Sequence, residues 1–110
     1  MPSITFMPWL LLALTVVIEV ASTTSLKMSE GLTRPIWFAA AIAGYTVCFV
    51  LLSRIFLTIP MGVAYAVWAG AGTALIALVG AVFFGEALTP LRLLFIAMIL
   101  VGIVGLKLAD

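Results

Sequence analysis

Glu19 lies inside the stretch that decides how this chain can fold. From Phe6 to Ile18 the sequence is apolar except for Thr15, a run of 13 residues. That is too short to cross a bilayer, whose hydrocarbon core of about 30 Å requires roughly 20 helical residues. Continued through Glu19 to Leu26 the run reaches 21 residues, so the segment spans only if the glutamate lies within the membrane. A carboxylate near the middle of a spanning helix costs about 2.5–3.5 kcal/mol on insertion scales, and such a residue is a functional candidate by default.

The rest of the chain supports a spanning reading. Of its 110 residues 66% are hydrophobic and 8% charged, against about 25% charged in a soluble domain. The chain is therefore expected to be an all-α membrane protein. The few charges cluster so as to divide it into four apolar segments, at 4–26, 36–57, 61–84 and 88–108, which form a single four-helix transmembrane domain. The N-terminus Met1–Phe6 carries no Lys or Arg and so lacks the basic region of a signal peptide, and the first segment is read as retained. Cys48 is alone and there is no His, which leaves no intrachain disulfide and no expected metal site or cofactor. The short polar breaks leave no room for a soluble catalytic domain, so an enzyme is not expected, nor is a nucleic-acid partner.

On a helix, Thr15, Glu19, Ser22, Thr23 and Leu26 share one face, while Leu11, Val17, Val20 and Ala21 lie on the opposite, lipid-facing side. The polar face must look into a bundle or a wet cavity. The alternative for each hydroxyl is a bond to its own helix's i−4 carbonyl. Lys27 is placed to bond the last carbonyls of helix one, Gly31 suits the turn that follows, and Pro35 suits the first turn of helix two. In the second segment Ala41, Tyr45, Cys48 and Leu52 share a face. Buried Tyr hydroxyls usually find a partner, so Tyr45 either reaches the carboxylate or simply packs. The third segment carries a small-residue ridge of Gly62, Ala66, Gly70 and Ala74, four residues apart, which lets another helix approach. Offset from it, Tyr65 and Trp68 lie on one face with Gly72 a turn beyond, deep enough to hold a cation against their π faces. Gly70-Ala-Gly72 is also a place where the helix could kink. In the fourth segment Gly102 and Gly105 point to packing.

Four spans put Arg54 and Lys107 on one side of the membrane and Lys27, Arg34 and Arg92 on the other. That is almost no positive-inside bias, so either orientation is open. One carboxylate on four short helices does not enclose a transport path, and larger transporters achieve alternating access with inverted repeats. Two oppositely oriented copies would supply the same symmetry and bring two Glu19 residues together. Two carboxylates in a low-dielectric cavity repel and share their protons as a pair. Protons and a cationic substrate would then compete for them.

The stretches Ile18-Glu-Val-Ala-Ser-Thr-Thr-Ser-Leu-Lys-Met-Ser-Glu-Gly31 and Ile59-Pro-Met-Gly-Val-Ala-Tyr-Ala-Val-Trp-Ala-Gly70, with the Phe83-Phe-Gly85 exit from span three, closely resemble the small multidrug resistance family. The resemblance covers nearly the whole chain. It implies a proton-coupled exporter of small organic cations that works as an antiparallel dimer in the bacterial inner membrane. It assigns Glu19 to alternate binding of protons and substrate, and Tyr65, Trp68, Tyr45 and Trp9 to aromatic substrate contacts. Ser22 stands where guanidinium exporters of the family carry Trp, and with Thr23-Thr24 it looks more like the branch that exports lipophilic and quaternary ammonium cations. Gly102-Ile-Val-Gly-Leu-Lys107 instead looks like the guanidinium exporters' C-terminus, and Phe95 replaces the first glycine of the multidrug branch's fourth-helix dimer motif.

The leading expectation is thus export of lipophilic or quaternary ammonium cations by a homodimer, with Ser22 and Thr23 as further substrate contacts. The alternative is a guanidinium or polyamine exporter of the same family, which some members achieve as heterodimers. A reading from another class makes the chain a non-transporting membrane subunit, with Glu19 serving only to hold helices together.

Overall fold

The structure, a computed structural model, describes residues 2–109, with side chains described from Met7 onward. Four helices follow one another: α1 (Pro2–Met28), α2 (Pro35–Ile55), α3 (Met61–Phe83) and α4 (Pro90–Ala109). All four are long and apolar enough to cross a membrane. Their ends depart from the apolar segments by a few residues for local reasons. Lys27 and Met28 remain helical and extend α1. The second helix ends at Ile55 with Phe56 as its C-cap, because the chain turns through Thr58-Ile-Pro60. The fourth begins at Pro90, whose fixed φ and missing N–H suit a first helical turn.

α1 is central, packed on α2 along one side and on α3 along the other, and α4 leans mainly on α3. The α1–α2 seam is made by small residues. Ala41 and Cys48 are fully buried, the Cys48 thiol lies 3.5 Å from the Thr15 carbonyl, and a Cβ on Gly44 would collide with Ser22 Oγ. Close approach of this kind is how helices associate where lipid removes the hydrophobic drive. The small ridge on α3 is used in part. A Cβ on Gly70 would come within 2.7 Å of Ile103 on α4, whereas Gly62, Gly102 and Gly105 face open space. α3 continues as unbroken helix through Gly70-Ala-Gly72. No residue of α4 is buried.

The apolar core sits at one end of the bundle, where α1 begins and α2 turns into α3. It consists of Leu12, Leu52, Ile55, Ile59 and Ala64, with Trp9, Val67 and Trp68 packed against it. At the other end the α1–α2 connection is tied by Ser29, which is buried, donates to Leu26 O and accepts from the Leu32 N–H. Glu30, Gly31 and Leu32 all have left-handed φ, at +49°, +71° and +71°. Arg34, not Lys27, reaches a terminal carbonyl of α1, that of Met28 at 3.4 Å.

Candidate functional site

Between α1 and α3 lies a cleft of about 350 Å³, lined by Glu19 and Thr23 on one side and by Tyr65, Trp68, Ala69, Gly72, Thr73 and Ile76 on the other. Its floor is Trp68, which also packs on the apolar core. Three residues separate Tyr65 from Trp68, nearly one helical turn, and the two rings meet edge to face with centroids 5.5 Å apart at 71°. Tyr65 remains 56% exposed, leaving one wall of the cleft as an open aromatic surface.

The carboxylate is held by a short chain of hydroxyls. Thr23 Oγ1 donates to Glu19 Oε1 at 2.8 Å, and the Thr23 and Tyr45 oxygens are 2.7 Å apart. A hydroxyl has one proton to give, so with Thr23 committed to the carboxylate the Tyr45 hydroxyl donates to Thr23. Tyr45 therefore reaches Glu19 through Thr23 rather than directly. Glu19 Oε2 lies against α3 at Gly72, where a Cβ would be 2.8 Å away. That oxygen and the Trp68 Nε1 are both buried without a hydrogen-bond partner in the protein. One acceptor and one donor thus sit unsatisfied beside the same cleft, each at a cost of about 1–3 kcal/mol.

The other hydroxyls of α1 are engaged locally. Thr15, Ser22 and Thr24 bond the carbonyls of Leu11, Ile18 and Val20, each four residues back. Ser22 is 3% exposed and faces α2 at Gly44, so it does not line the cleft. Trp9 also stands apart from the carboxylate: it lines a separate pocket with Leu12, Val16, Val67 and Ala71, and the Lys107 ammonium lies 5.3 Å from its ring centre. Ten residues, about 15 Å of helix, separate Trp9 from Glu19. Of the expected site residues the structure brings together Glu19, Thr23, Tyr45, Tyr65 and Trp68. It adds Thr73, whose hydroxyl bonds Ala69 O at the cleft wall, and gives Gly72 a contact role that an apolar helix face does not announce.

The hydroxyl chain makes a graded prediction. Thr23→Val removes a bond to a charged group, worth roughly 1.5–3 kcal/mol, whereas Tyr45→Phe removes a neutral one worth roughly 0.5–1.5 kcal/mol. If the site carries the cation transport that the family resemblance implies, transport measured in proteoliposomes should show KM raised about tenfold or more by the first and about two- to tenfold by the second. Because Tyr45 acts through Thr23, the double substitution should be hardly worse than Thr23→Val alone. Fully additive losses would show that Tyr45 acts independently.

Residues 7–99 match the family model described as Small Multidrug Resistance protein. Among curated proteins the chain is 37% identical to "Multidrug transporter PA4990" of Pseudomonas aeruginosa over 91% of this chain and 91% of that protein. It is 43% identical to "Nicotine metabolites export pump subunit NepB" of Paenarthrobacter nicotinovorans, over 92% of this chain and 61% of that protein. It is 39% identical to "Guanidinium exporter" of Citrobacter freundii, over 94% and 98%.

Proposed function

The chain belongs to the small multidrug resistance family, and from that premise we propose that it is a proton-coupled antiporter in which protons and a small organic cation compete for Glu19. As a member it is a multi-pass transporter of the bacterial inner membrane, with four apolar spanning helices. The observation that carries the mechanism is the unpartnered Glu19 Oε2, buried beside the cleft. A proton on the carboxylate or a cation bonded to it relieves that oxygen, and the first excludes the second. Exchange follows from this competition together with a change in which face the cleft meets.

A second copy in the opposite orientation fits what one copy leaves open. No residue of α4 is buried, Gly102 and Gly105 face open space, and the balance of Lys and Arg between the two sides favours neither orientation. The apolar core packs behind Trp68, a lining residue of the cleft, at one end of the bundle. In an inverted pair whose two copies take up different conformations, the shared cleft meets one membrane face at a time and exchanging the conformations turns it to the other, which is what alternating access needs. A non-identical partner satisfies the same geometry, and one relative is named as a pump subunit.

For the substrate we place cations carrying N–H donors, of the guanidinium type, ahead of quaternary ones. Glu19 Oε2 calls for a donor, which a quaternary ammonium does not have, and a relative matched nearly end to end is named as a guanidinium exporter. The expected preference for quaternary ions rested on Ser22-Thr23-Thr24 and an apolar, aromatic cavity; of the hydroxyls expected to serve a guanidinium ion, Ser22 is buried against Gly44 while Thr23 lines the cleft. The open Tyr65–Trp68 wall favours the second reading, lipophilic cations held by π faces. Proteoliposomes given a pH step decide between them. Guanidinium should drive exchange at lower concentration than tetraphenylphosphonium; the reverse order would install the lipophilic reading in its place.

A further inference from the structure

A second carboxylate stands beside an aromatic ring at the mouth of the cleft. Gly85, with φ +66°, makes the left-handed turn that ends α3. The chain then doubles back, and the Glu86 N–H donates to Gly80 O at 3.0 Å. A Cβ at position 80 would run into the Glu86 carboxylate, so glycine there leaves that side chain the place it occupies. Phe84 and Glu86 are thereby held against the last turn of α1. Lys27 fills the space between them: its ammonium lies 3.5 Å from Glu86 Oε2 and 5.0 Å from the centre of the Phe84 ring. This is the one ion pair among the described residues. The pocket around it, about 60 Å³, shares Thr23 and Ile76 with the Glu19 cleft.

The Lys27 ammonium shows what the pocket accepts. A carboxylate and a π face are the two groups that retain an organic cation, and here the chain's own cation occupies them. It is loosely held, because the Lys27 and Glu86 side chains are 52% and 53% exposed and a solvated pair is weak. Its long stem also lets the ammonium swing out to the membrane surface. Another cation can therefore take its place without uncovering a buried charge.

We propose that Phe84 and Glu86 form an outer docking site, where an organic cation displaces Lys27 before moving along Thr23 to Glu19. The proposal rests on reading Glu19 as the exchange site. Eight residues, about 12 Å of helix, separate Glu19 from Lys27, so the outer ion occupies a distinct station. In an inverted pair the two outer sites lie at opposite faces of the membrane, one met on entry and the other on exit.

The test separates a docking site from a structural tie. Proteoliposomes are assayed for pH-driven exchange with guanidinium and with tetraphenylphosphonium. Lys27→Met removes the resident competitor and should lower KM about threefold, while Glu86→Gln removes the anchor and should raise it by a similar factor, the size that an exposed ionic contact supports. Phe84→Leu should move KM in the same direction as Glu86→Gln. A tie that only holds α1 to the α3–α4 turn predicts instead that breaking the pair from either side has the same effect, and KM changes of one sign would overturn the site. A binding measurement keeps the outer site testable apart from exchange. Glu19→Gln protein should retain weak tetraphenylphosphonium binding that Glu86→Gln then abolishes, and binding indifferent to Glu86 would overturn the outer site. Wild-type protein that moves neither probe, with Glu86-dependent binding intact, would instead overturn the exchange reading and leave the outer site standing.

Discussion

Glu19→Gln is expected to leave a folded four-helix protein that neither exchanges protons nor moves cations. The amide is close to the carboxylate in shape, and its oxygen can still accept from Thr23, whose hydroxyl is 2.8 Å from Glu19 Oε1 in the wild type. What disappears is the charge. Losing one member of a desolvated charged pair costs roughly 2–5 kcal/mol, so cation affinity should fall about 30-fold or more, and pH-driven flux should drop to that of protein-free vesicles. The pH dependence carries the sign. In the wild type, acid should weaken cation binding, because protons occupy the same carboxylate; in the variant that competition at position 19 should be gone. A variant that still exchanged cations against a pH step would remove Glu19 from the mechanism. One that lost its helical assembly instead would favour a structural role for the glutamate.

Gly72→Ala should be nearly as damaging to exchange while sparing the fold. The added methyl would lie 2.8 Å from Glu19 Oε2 and 3.7 Å from the carboxyl carbon, with nothing else in reach. The obstacle is thus the far end of a flexible side chain rather than backbone, so the helices need not separate. The carboxylate moves instead, and with it the bond to Thr23 and the distance to Trp68. Where geometry sets a rate, a displacement of about 1 Å can cost 10²-fold. We expect exchange reduced by about ten- to a hundredfold, with thermal unfolding in detergent little changed. Gly72 acts by positioning Glu19, so in the Glu19→Gln background Gly72→Ala should have little further effect on cation binding. A large loss there would mean that the glycine serves the fold itself.

The four helices were readable because the chain spends its few charges at helix ends, and Glu19, Tyr65 and Trp68 because each is costly or unusual at its depth. Which neighbours share the site was only half readable, for a geometric reason. Successive residues turn by about 100°, so relative to Glu19 the side chain of Ser22 points about 60° one way and that of Thr23 about 40° the other. Both belong to one polar face by spacing. α2 then takes the Ser22 side, along with Thr15, and α3 takes the Thr23 side. No pattern within α1 states which neighbour lies where. Gly44 was invisible for a related reason: it ends the small-residue run Ala39-Ala-Ala-Ile-Ala-Gly44, and the relative rotation and register of α1 and α2 decide which of these meets Ser22. Gly72 was noticed as a turn beyond Trp68, but its value depends on a carboxylate arriving from another helix. The role of Trp9 came from the family resemblance, and one copy places it about 15 Å along the helix from the carboxylate.

The cluster of Leu12, Leu52, Ile55, Ile59 and Ala64 does more than hold α1 to the α2–α3 turn. A carboxylate that trades protons with both faces of a membrane is a short circuit unless one path is always insulated. These side chains carry no group that could bond a water or relay a proton, so on the proposed mechanism they would serve as the dielectric between Glu19 and the face behind it. On the proposed proton exchange, the tightness of that packing would set how much of the proton gradient is lost as slip for each cation carried. A core that in a soluble protein would be judged by stability alone would then be a determinant of energetic efficiency.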